Sequence, residues 1–117
     1  MDNLVGAVSE RGLTVFLRLD HAAAAAKAGS SLRPTELLVF GRAEGGTPLM
    51  QADQAVGVDL PLRALVWVDA ADRTWIGYDD PLWIADRHGL TGVDQRHVAK
   101  ALCGLLEACA IQAAGVG

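Results

Sequence analysis

A predicted β-hairpin in the second half of the chain determines its fold class. Leu62–Val68 and Thr74–Tyr78 are rich in β-branched and aromatic residues, and the polar segment 69–73 between them is short enough to be a turn. The two strands of a hairpin are antiparallel, and a hairpin by itself is only marginally stable in water. The rest of the chain must therefore cover it, which predicts an α+β domain with a mostly antiparallel sheet.

Two further segments, residues 13–19 and 36–40, are also predicted strands. The segment 36–40 is apolar at consecutive positions after its first residue, which indicates that both faces of this strand are covered. With the hairpin, these segments give a sheet of roughly four strands, the usual size for a small domain. We expect one domain over residues 1–117, a two-layer sandwich of this sheet and helices.

Capping residues and glycines mark the predicted helices. One helix ends before Gly12, and the alanine-rich helix that follows Asp20 ends near Gly29. The pairs Thr47-Pro48 and Asp80-Pro81 each place a capping side chain before a proline at the first helical position. They predict helices from 48 to about 56 and from 81 to 88. Apolar residues recur at helical spacing over residues 93–114, which predicts a long C-terminal helix.

Composition and charge exclude several classes of function. Of the 117 residues, 51% are hydrophobic and 21% are charged, which is typical of a globular chain. The net charge of −4 argues against a surface that coats nucleic acid. The sequence lacks an apolar run long enough for a membrane span and the basic start of a secretory leader. We therefore expect a soluble, cytoplasmic protein that binds neither nucleic acid nor membranes.

The two cysteines, Cys103 and Cys109, lie within the predicted C-terminal helix. A separation of six residues puts them about 120° apart around a helix axis, so they are not expected to pair with each other. We predict buried thiols, with an intermolecular disulfide or a redox role as the alternative.

Four ordered motifs resemble the family called domain of unknown function 302: RPTELLVFG at 33–41, GTPLMQ at 46–51, DLPLRALVW at 59–67 and YDDP at 78–81. The resemblance covers residues 13–88. It implies a two-layer α/β sandwich of the TATA-binding-protein-like type that dimerises, but it implies no established activity.

Three departures from the family pattern add expectations. Relatives usually carry a strand and a complete helix before the segment that matches residue 13, which implies an N-terminally shortened member whose bared strand edge must be covered. The helix over 93–114 is expected beyond the usual end of the family. Cysteines that one branch carries are absent here, with Leu62 at one such position, so we expect no thiol-bound metal, no haem and no other cofactor.

The glycine-rich segment 41–47 is the strongest candidate for a binding site. Free amides at a helix start favour an anion, and glycines allow a ligand to approach the backbone. We predict a site for a small anionic ligand that involves the side chains of Arg33, Arg42, Thr47, Gln51 and Tyr78. The alternative is an ordinary strand-to-helix turn. Separately, Arg33, Glu36 and Asp59 are predicted to form a structural ion pair, with a ligand clamp as the alternative.

His21 and Asp79 are the candidate catalytic residues. His21 follows Asp20, and Asp79 follows Tyr78. The alternative is that Asp20 only caps a helix start and that Asp79 only lies at the polar surface. The histidines lack the spacing of a zinc site, so no metal is expected. We predict a non-catalytic ligand- or partner-binding homodimer. The alternatives are an enzyme that acts on a small acidic metabolite, with His21 or Asp79 as general base and Arg42 as anion anchor, and a purely structural or interaction module that uses its C-terminal helix.

Overall fold

The computed structural model describes residues 1–115, and the end of the predicted domain at 116–117 lies outside them. These residues form five α-helices, one 3₁₀ helix and four strands. In chain order the elements are α1 (Asp2–Glu10), β1 (Thr14–Asp20), α2 (His21–Lys27), β2 (Thr35–Gly41), α3 (Ala43–Ala52), the 3₁₀ helix (Gln54–Asp59), β3 (Leu62–Val68), β4 (Thr74–Tyr78), α4 (Pro81–Arg87) and α5 (Val93–Ala113).

The four strands form one sheet in the order β1-β2-β3-β4, and each neighbouring pair is antiparallel. The predicted hairpin is confirmed with unchanged strand bounds, since β4 pairs along its whole length with residues 64–68 of β3. The helices, among them the long α5, cover one face of this sheet and complete the predicted α+β fold, a two-layer sandwich.

The two faces of the sheet differ sharply in burial. Leu38 and Phe40 of β2 are fully buried under the helices, as is Ala64 of β3 at 2% exposure. Alternate residues point the other way, and no element among residues 1–115 buries them fully. We call this second surface the open face; it consists of Leu17, Leu19, Leu37, Val39, Leu65, Trp67 and Trp75. The expectation that both faces of β2 are covered is therefore wrong for the single chain.

A bulge at Phe16 interrupts β1. Val15 pairs with Phe40 and Leu17 pairs with Val39, so Phe16 lacks a partner of its own in this ladder. The extra residue reverses the alternation of the strand, because Val15 shares the helix-covered face with Phe40 whereas Leu17 joins the open face.

The long helix α5 supplies much of the helical layer and packs against α1, α3 and α4. Its buried residues recur at helical spacing: Ala99, Leu102, Leu106 and Cys109. The predicted amphipathic C-terminal helix is thus confirmed. The apolar side of α5 packs against other helices of the same chain, so its observed role is packing within the domain.

Two of the predicted caps are confirmed. Asp20 accepts a hydrogen bond from the backbone N–H of Ala23 at 2.9 Å, and Asp80 accepts one from Leu82 at 2.8 Å. The alanine-rich helix ends as expected, with Gly29 at a φ of +81° that other residues rarely adopt.

The third predicted helix start is wrong. α3 begins at Ala43, so the glycine-rich segment is its first turn and Thr47 lies inside the helix rather than capping it. Proline at position 48 removes only the hydrogen bond to the carbonyl of Glu44, near the helix start. Packing offsets this cost, since a Cβ added to Gly45 would stand 3.0 Å from Leu102 of α5. The small residue therefore allows α3 and α5 to approach closely.

Candidate functional site

The strand register defines two ends of the sheet. Gly41 of β2 pairs with Thr14, and Tyr78 of β4 pairs with Ala64, so these residues lie at one end, which we call the α3 end. Asp20 and Thr35 lie at the other end of their strands. A seven-residue strand separates the two ends by about 20 Å. Residues at opposite ends therefore cannot contact one small ligand together.

A cavity of about 270 Å³ opens at the α3 end, and we call it the end cavity. Its walls come from β1, β3, α3, α5 and the segment around the 3₁₀ helix. Most of the lining is apolar: Leu13, Phe16, Met50, Leu60, Pro61, Leu62 and Leu102, with Gly41, Gly46, Gly57 and Ala43 where the backbone lines it. Arg42 and Thr47 are its polar members.

Arg42 gives the end cavity a positive charge. Its side chain is exposed and forms no ion pair with a residue of the described chain, 1–115. Arg42 is also the residue before α3, and no side chain within 1–115 caps that helix start. The guanidinium carries a full positive charge and the helix start a partial one, and both lie on the same side of the apolar cavity.

The structure brings together only part of the predicted ligand-binding set. Arg42 and Thr47 share the end cavity, and Gln51 lies on an adjoining shallow depression with Thr47. Tyr78 lines a different depression, beside Arg63 and Asp79. Arg33 precedes β2, at the opposite end of the sheet. These five residues therefore do not form one site.

The candidate catalytic residues are also far apart. His21 begins α2 at the end of the sheet opposite the end cavity, whereas Asp79 follows β4 at the α3 end. The Asp79 carboxylate is 3.6 Å from the guanidinium of Arg63, and both side chains are about half exposed. His21 and Asp79 consequently cannot act as a pair.

The predicted ion pair among Arg33, Glu36 and Asp59 is wrong. Glu36 accepts a hydrogen bond from Nε of Arg18 at 2.9 Å. The two residues are diagonal neighbours on the same face of the β1–β2 pair. Arg18 also reaches Asp2 of α1 at 2.7 Å. Arg33 lies at the wrong end of β2 to meet Asp59, and among residues 1–115 it forms no ion pair.

Asp59 instead belongs to a buried polar cluster that the sequence did not predict. Its carboxylate is 5% exposed and accepts from Nε2 of His88 at 2.6 Å and from Nη1 of Arg87 at 3.1 Å. Because an ionised carboxylate only accepts hydrogen bonds, Nε2 is the protonated nitrogen of His88. The cluster fixes the 3₁₀ helix to the end of α4. A separation of 29 residues between Asp59 and His88 leaves no local spacing by which the sequence could have signalled it.

A second polar group joins α4 to α5. The Cys103 thiol donates to Oδ1 of Asp80 at 2.9 Å, and burial, followed by this hydrogen bond, raises the pKa of the thiol. Burial and the nearby Glu107 carboxylate raise the pKa of Tyr78. Both groups therefore stay protonated at neutral pH, which makes Cys103 a poor nucleophile. Both thiols are free. Cys109 is buried, as predicted, whereas Cys103 is only half-buried.

The open face carries an aromatic pair. The rings of Trp67 and Trp75 are stacked, with centroids 6.4 Å apart and planes inclined by 19°. Gly77 makes room for this arrangement, because a Cβ there would lie 3.0 Å from the Trp67 ring. Leu17 and Leu19 across the sheet are 48% and 37% exposed, and Trp75 is 47% exposed. The result is an apolar surface that water contacts directly.

Residues 1–115 contain neither a metal-binding cluster of side chains nor a membrane-spanning helix. No group of three or more histidine, cysteine, aspartate or glutamate side chains there is arranged to hold a metal ion. No helix in this part of the chain has the length and apolar character needed to span a bilayer.

An antiparallel sheet covered by helices on one face, with an apolar open face and an end cavity, defines a small two-layer α+β domain. The sequence profile of the family Domain of unknown function DUF302 matches residues 1–109, and the chain belongs to this family. The match starts before residue 13 and takes in most of α5, which the resemblance had placed beyond the family end. A crystal structure of an uncharacterized conserved DUF302 protein from Bacillus stearothermophilus has a TM-score of 0.83 at 17% identity, covering 96% of this chain and 86% of that one.

Closer sequence relatives are longer proteins. The chain is 43% identical over 90 residues to Fluoride-specific ion channel FluC 1 of Brucella suis biovar 1, which covers 77% of this chain and 35% of that protein. Fluoride-specific ion channel FluC 2 of Brucella melitensis biotype 1 is also 43% identical over 90 residues, or 77% of this chain and 33% of that protein. The chain thus spans about a third of the length of these relatives.

Proposed function

We propose that this protein is a non-catalytic binding domain that works as a homodimer joined through its open face. The exposure of that face carries the proposal, because Leu17 and Trp75 each leave about half of a large apolar side chain in water. Contiguous apolar surface of this kind marks an interaction site on most soluble domains. The apolar sequence of β2, which predicted cover on both faces, is accounted for if a second copy supplies the missing cover.

The size of the open face sets the expected strength of the dimer. Four strands about 4.8 Å apart and roughly 20 Å long give a projected area of about 400 Å². Side-chain relief makes the accessible area larger, while a standard interface buries about 800 Å² per partner. The face therefore lies toward the lower end of specific interfaces, and we expect a reversible dimer whose population depends on concentration.

Charge favours a second copy as the occupant. The open face is apolar at its centre. Charges lie at its two ends: Arg63 is paired with Asp79 at the α3 end, and at the other end the Asp69 carboxylate accepts a hydrogen bond from Nε1 of Trp75 at 2.8 Å. Two copies related by a twofold axis would set the apolar residues of β1 against the tryptophans of the partner, with the two sheets about 10 Å apart. An acidic or basic partner would find no complementary charge at the centre of this face. The free thiols of Cys103 and Cys109 further support a reducing compartment, and we place the dimer in the cytoplasm.

The separation of the titratable candidates supports binding over catalysis. General acid–base chemistry needs its groups within hydrogen-bond reach of one substrate. His21 and Asp79 lie at opposite ends of the sheet, and the buried Asp59 carboxylate is already engaged by His88 and Arg87.

The test is the solution mass of the chain as a function of concentration, measured by sedimentation or light scattering. We expect a rise from the 12.3 kDa monomer toward twice that mass. Leu17→Glu puts a charge on the open face of both copies and should shift the chain to monomer with unchanged circular dichroism. Val93→Glu is the matched control, since Val93 is 85% exposed at the start of α5, away from this face. A wild-type chain that remains monomeric up to about 1 mM, the limit of a specific contact, refutes the proposal.

A second proposal concerns the longer relatives. We propose that this domain associates with a protein of the fluoride-channel type. The support is that roughly two thirds of the Brucella suis protein lies outside the match, so a domain similar to this one is covalently held beside that remainder. The test is direct binding between this chain and the unmatched part of the Brucella suis protein. The Bacillus stearothermophilus DUF302 protein, 17% identical to this chain, is the control and should bind more weakly. Equal binding, or none, contradicts the proposal.

A further inference from the structure

We propose that the end cavity binds a small monocarboxylate with an aliphatic chain. This inference rests on the proposed binding function and names the ligand class of that function. It is independent of the open face, which lies on the other side of the sheet from the helices. Three features of the cavity carry it: apolar walls, a floor without side chains, and one free positive charge.

The walls select an apolar ligand. Leu13 from the α1–β1 connection, Phe16 of β1 and Leu102 of α5 line the cavity, and Phe16 is 58% exposed although it is aromatic. Filling the cavity with an aliphatic chain would remove this ring from water, and burial of apolar surface is the main favourable contribution in pockets of this type. A polar metabolite would lose its hydration without replacement hydrogen bonds from these walls.

Glycines keep the space open. A Cβ added to Gly57 would lie 3.3 Å from the Met50 sulfur, and one added to Gly46 would lie 3.5 Å from Leu60. Met50 and Leu60 both line the cavity. Side chains at the two glycine positions would therefore compete with a ligand for the same volume.

The charge selects a carboxylate. Arg42 lines the cavity, and no acid among residues 1–115 neutralises it within ion-pair distance. A guanidinium binds a carboxylate through two parallel hydrogen bonds, and Thr47 offers a hydroxyl nearby. Glu44, two residues after Arg42, is exposed and does not line the cavity, but its charge disfavours a doubly charged phosphate. A single negative charge is the better match.

The volume sets the length of the chain. A 150 Å³ cavity lined by apolar side chains accommodates benzene, so a cavity of 270 Å³ has room for roughly ten non-hydrogen atoms. Octanoate has about that size, with its carboxylate at Arg42 and its tail among the apolar walls.

The experiment is titration of the full-length chain with octanoate, followed by calorimetry and by amide chemical shifts. We expect saturable binding with shifts confined to the α3 end. Acetate, which lacks the tail, and octylamine, which replaces the carboxylate with a cation, should bind at least about 10-fold more weakly, as expected for loss of a charge-assisted contact or of the buried chain.

Two variants and one control locate the site. Arg42→Gln should weaken octanoate binding by about 10-fold or more, whereas Arg33→Gln, an exposed arginine at the opposite end of the sheet, should leave it unchanged. Gly46→Leu should abolish binding by filling the cavity. If that variant fails to fold, Arg42→Gln still decides the question.

The proposal is overturned if octanoate does not saturate, if octylamine binds equally well, or if Arg33→Gln weakens binding as much as Arg42→Gln does. The oligomeric state of each sample is measured separately. A monomer that binds octanoate contradicts the dimer alone, and a dimer that does not bind octanoate contradicts the cavity proposal alone.

Discussion

Asp59→Ala is expected to be among the most destabilising polar substitutions in this chain. The carboxylate is 5% exposed and accepts two charge-assisted hydrogen bonds. The bond from Arg87, whose side chain is 51% exposed, is screened by water and contributes at most about 1 kcal/mol. The bond from His88, 11% exposed, is worth about 1.5–3 kcal/mol, and its loss also leaves a largely buried imidazole without this partner.

The expected loss is therefore about 2–4 kcal/mol in the free energy of unfolding, or a fall in Tm of about 8–16 °C for a chain of this size. Urea unfolding followed by far-UV circular dichroism measures it. Asp79→Ala is the matched control, because Asp79 forms a 3.6 Å pair with Arg63 that is half exposed and should cost less than about 1 kcal/mol.

A double-mutant cycle with His88→Ala isolates the buried contact and should give a coupling of about 1–3 kcal/mol. If Asp59→Ala costs no more than Asp79→Ala, or if the coupling is near zero, the assignment of the buried cluster as the lock between the 3₁₀ helix and α4 is incorrect.

Three further predictions concern charge, reactivity and packing. Hydrogen bonds from Cys103 and then from the Leu82 amide lower the pKa of Asp80 below 3.8, so its ionised form stabilises the fold above that pH. The advantage of wild type over Asp80→Asn in urea midpoints should thus be present at neutral pH and shrink as the pH falls below 3.8; an advantage independent of pH contradicts this. The same substitution removes a negative charge that helps to raise the pKa of Cys103, so alkylation of this thiol should become faster while that of buried Cys109 does not change. Gly104→Ala, in open space within α5, should raise stability by about 0.5–1 kcal/mol, whereas a Cβ at Gly45 meets Leu102 at 3.0 Å and should bring no such gain.

Local signals accounted for most of the fold. The hairpin strands, the caps Asp20 and Asp80 and the end of the alanine-rich helix each depend on a few neighbouring residues, and the sequence predicted them correctly. The start of α3 did not follow the same logic. Thr47-Pro48 is a strong local signal for a helix start, but contact between Gly45 and Leu102, 57 positions apart in the sequence, extends the helix by a further turn.

The same distinction between local and long-range contacts explains which site residues were predicted correctly. Arg42 and Thr47 were predicted together because they belong to one short segment, and they do share a cavity. Arg33, Tyr78 and His21 were assigned from motif or residue type, and the strand register distributes them between different ends and depressions. The Asp59 cluster and the apolar walls could not be predicted, because they are made by residues that meet only after the sheet and helices have packed.

The bulge at Phe16 has a consequence for length variation in this chain. Deleting that one residue would restore regular pairing and leave both faces of β1 as they are, because Val15 would stay opposite Phe40 and Leu17 opposite Val39. One lost codon would thus remove an aromatic wall of the end cavity and leave the open face unchanged. A deletion between Leu17 and Asp20 would instead turn the residues on one side of it to the opposite face, so loss of one residue from β1 should be tolerated at position 16 and not beyond it.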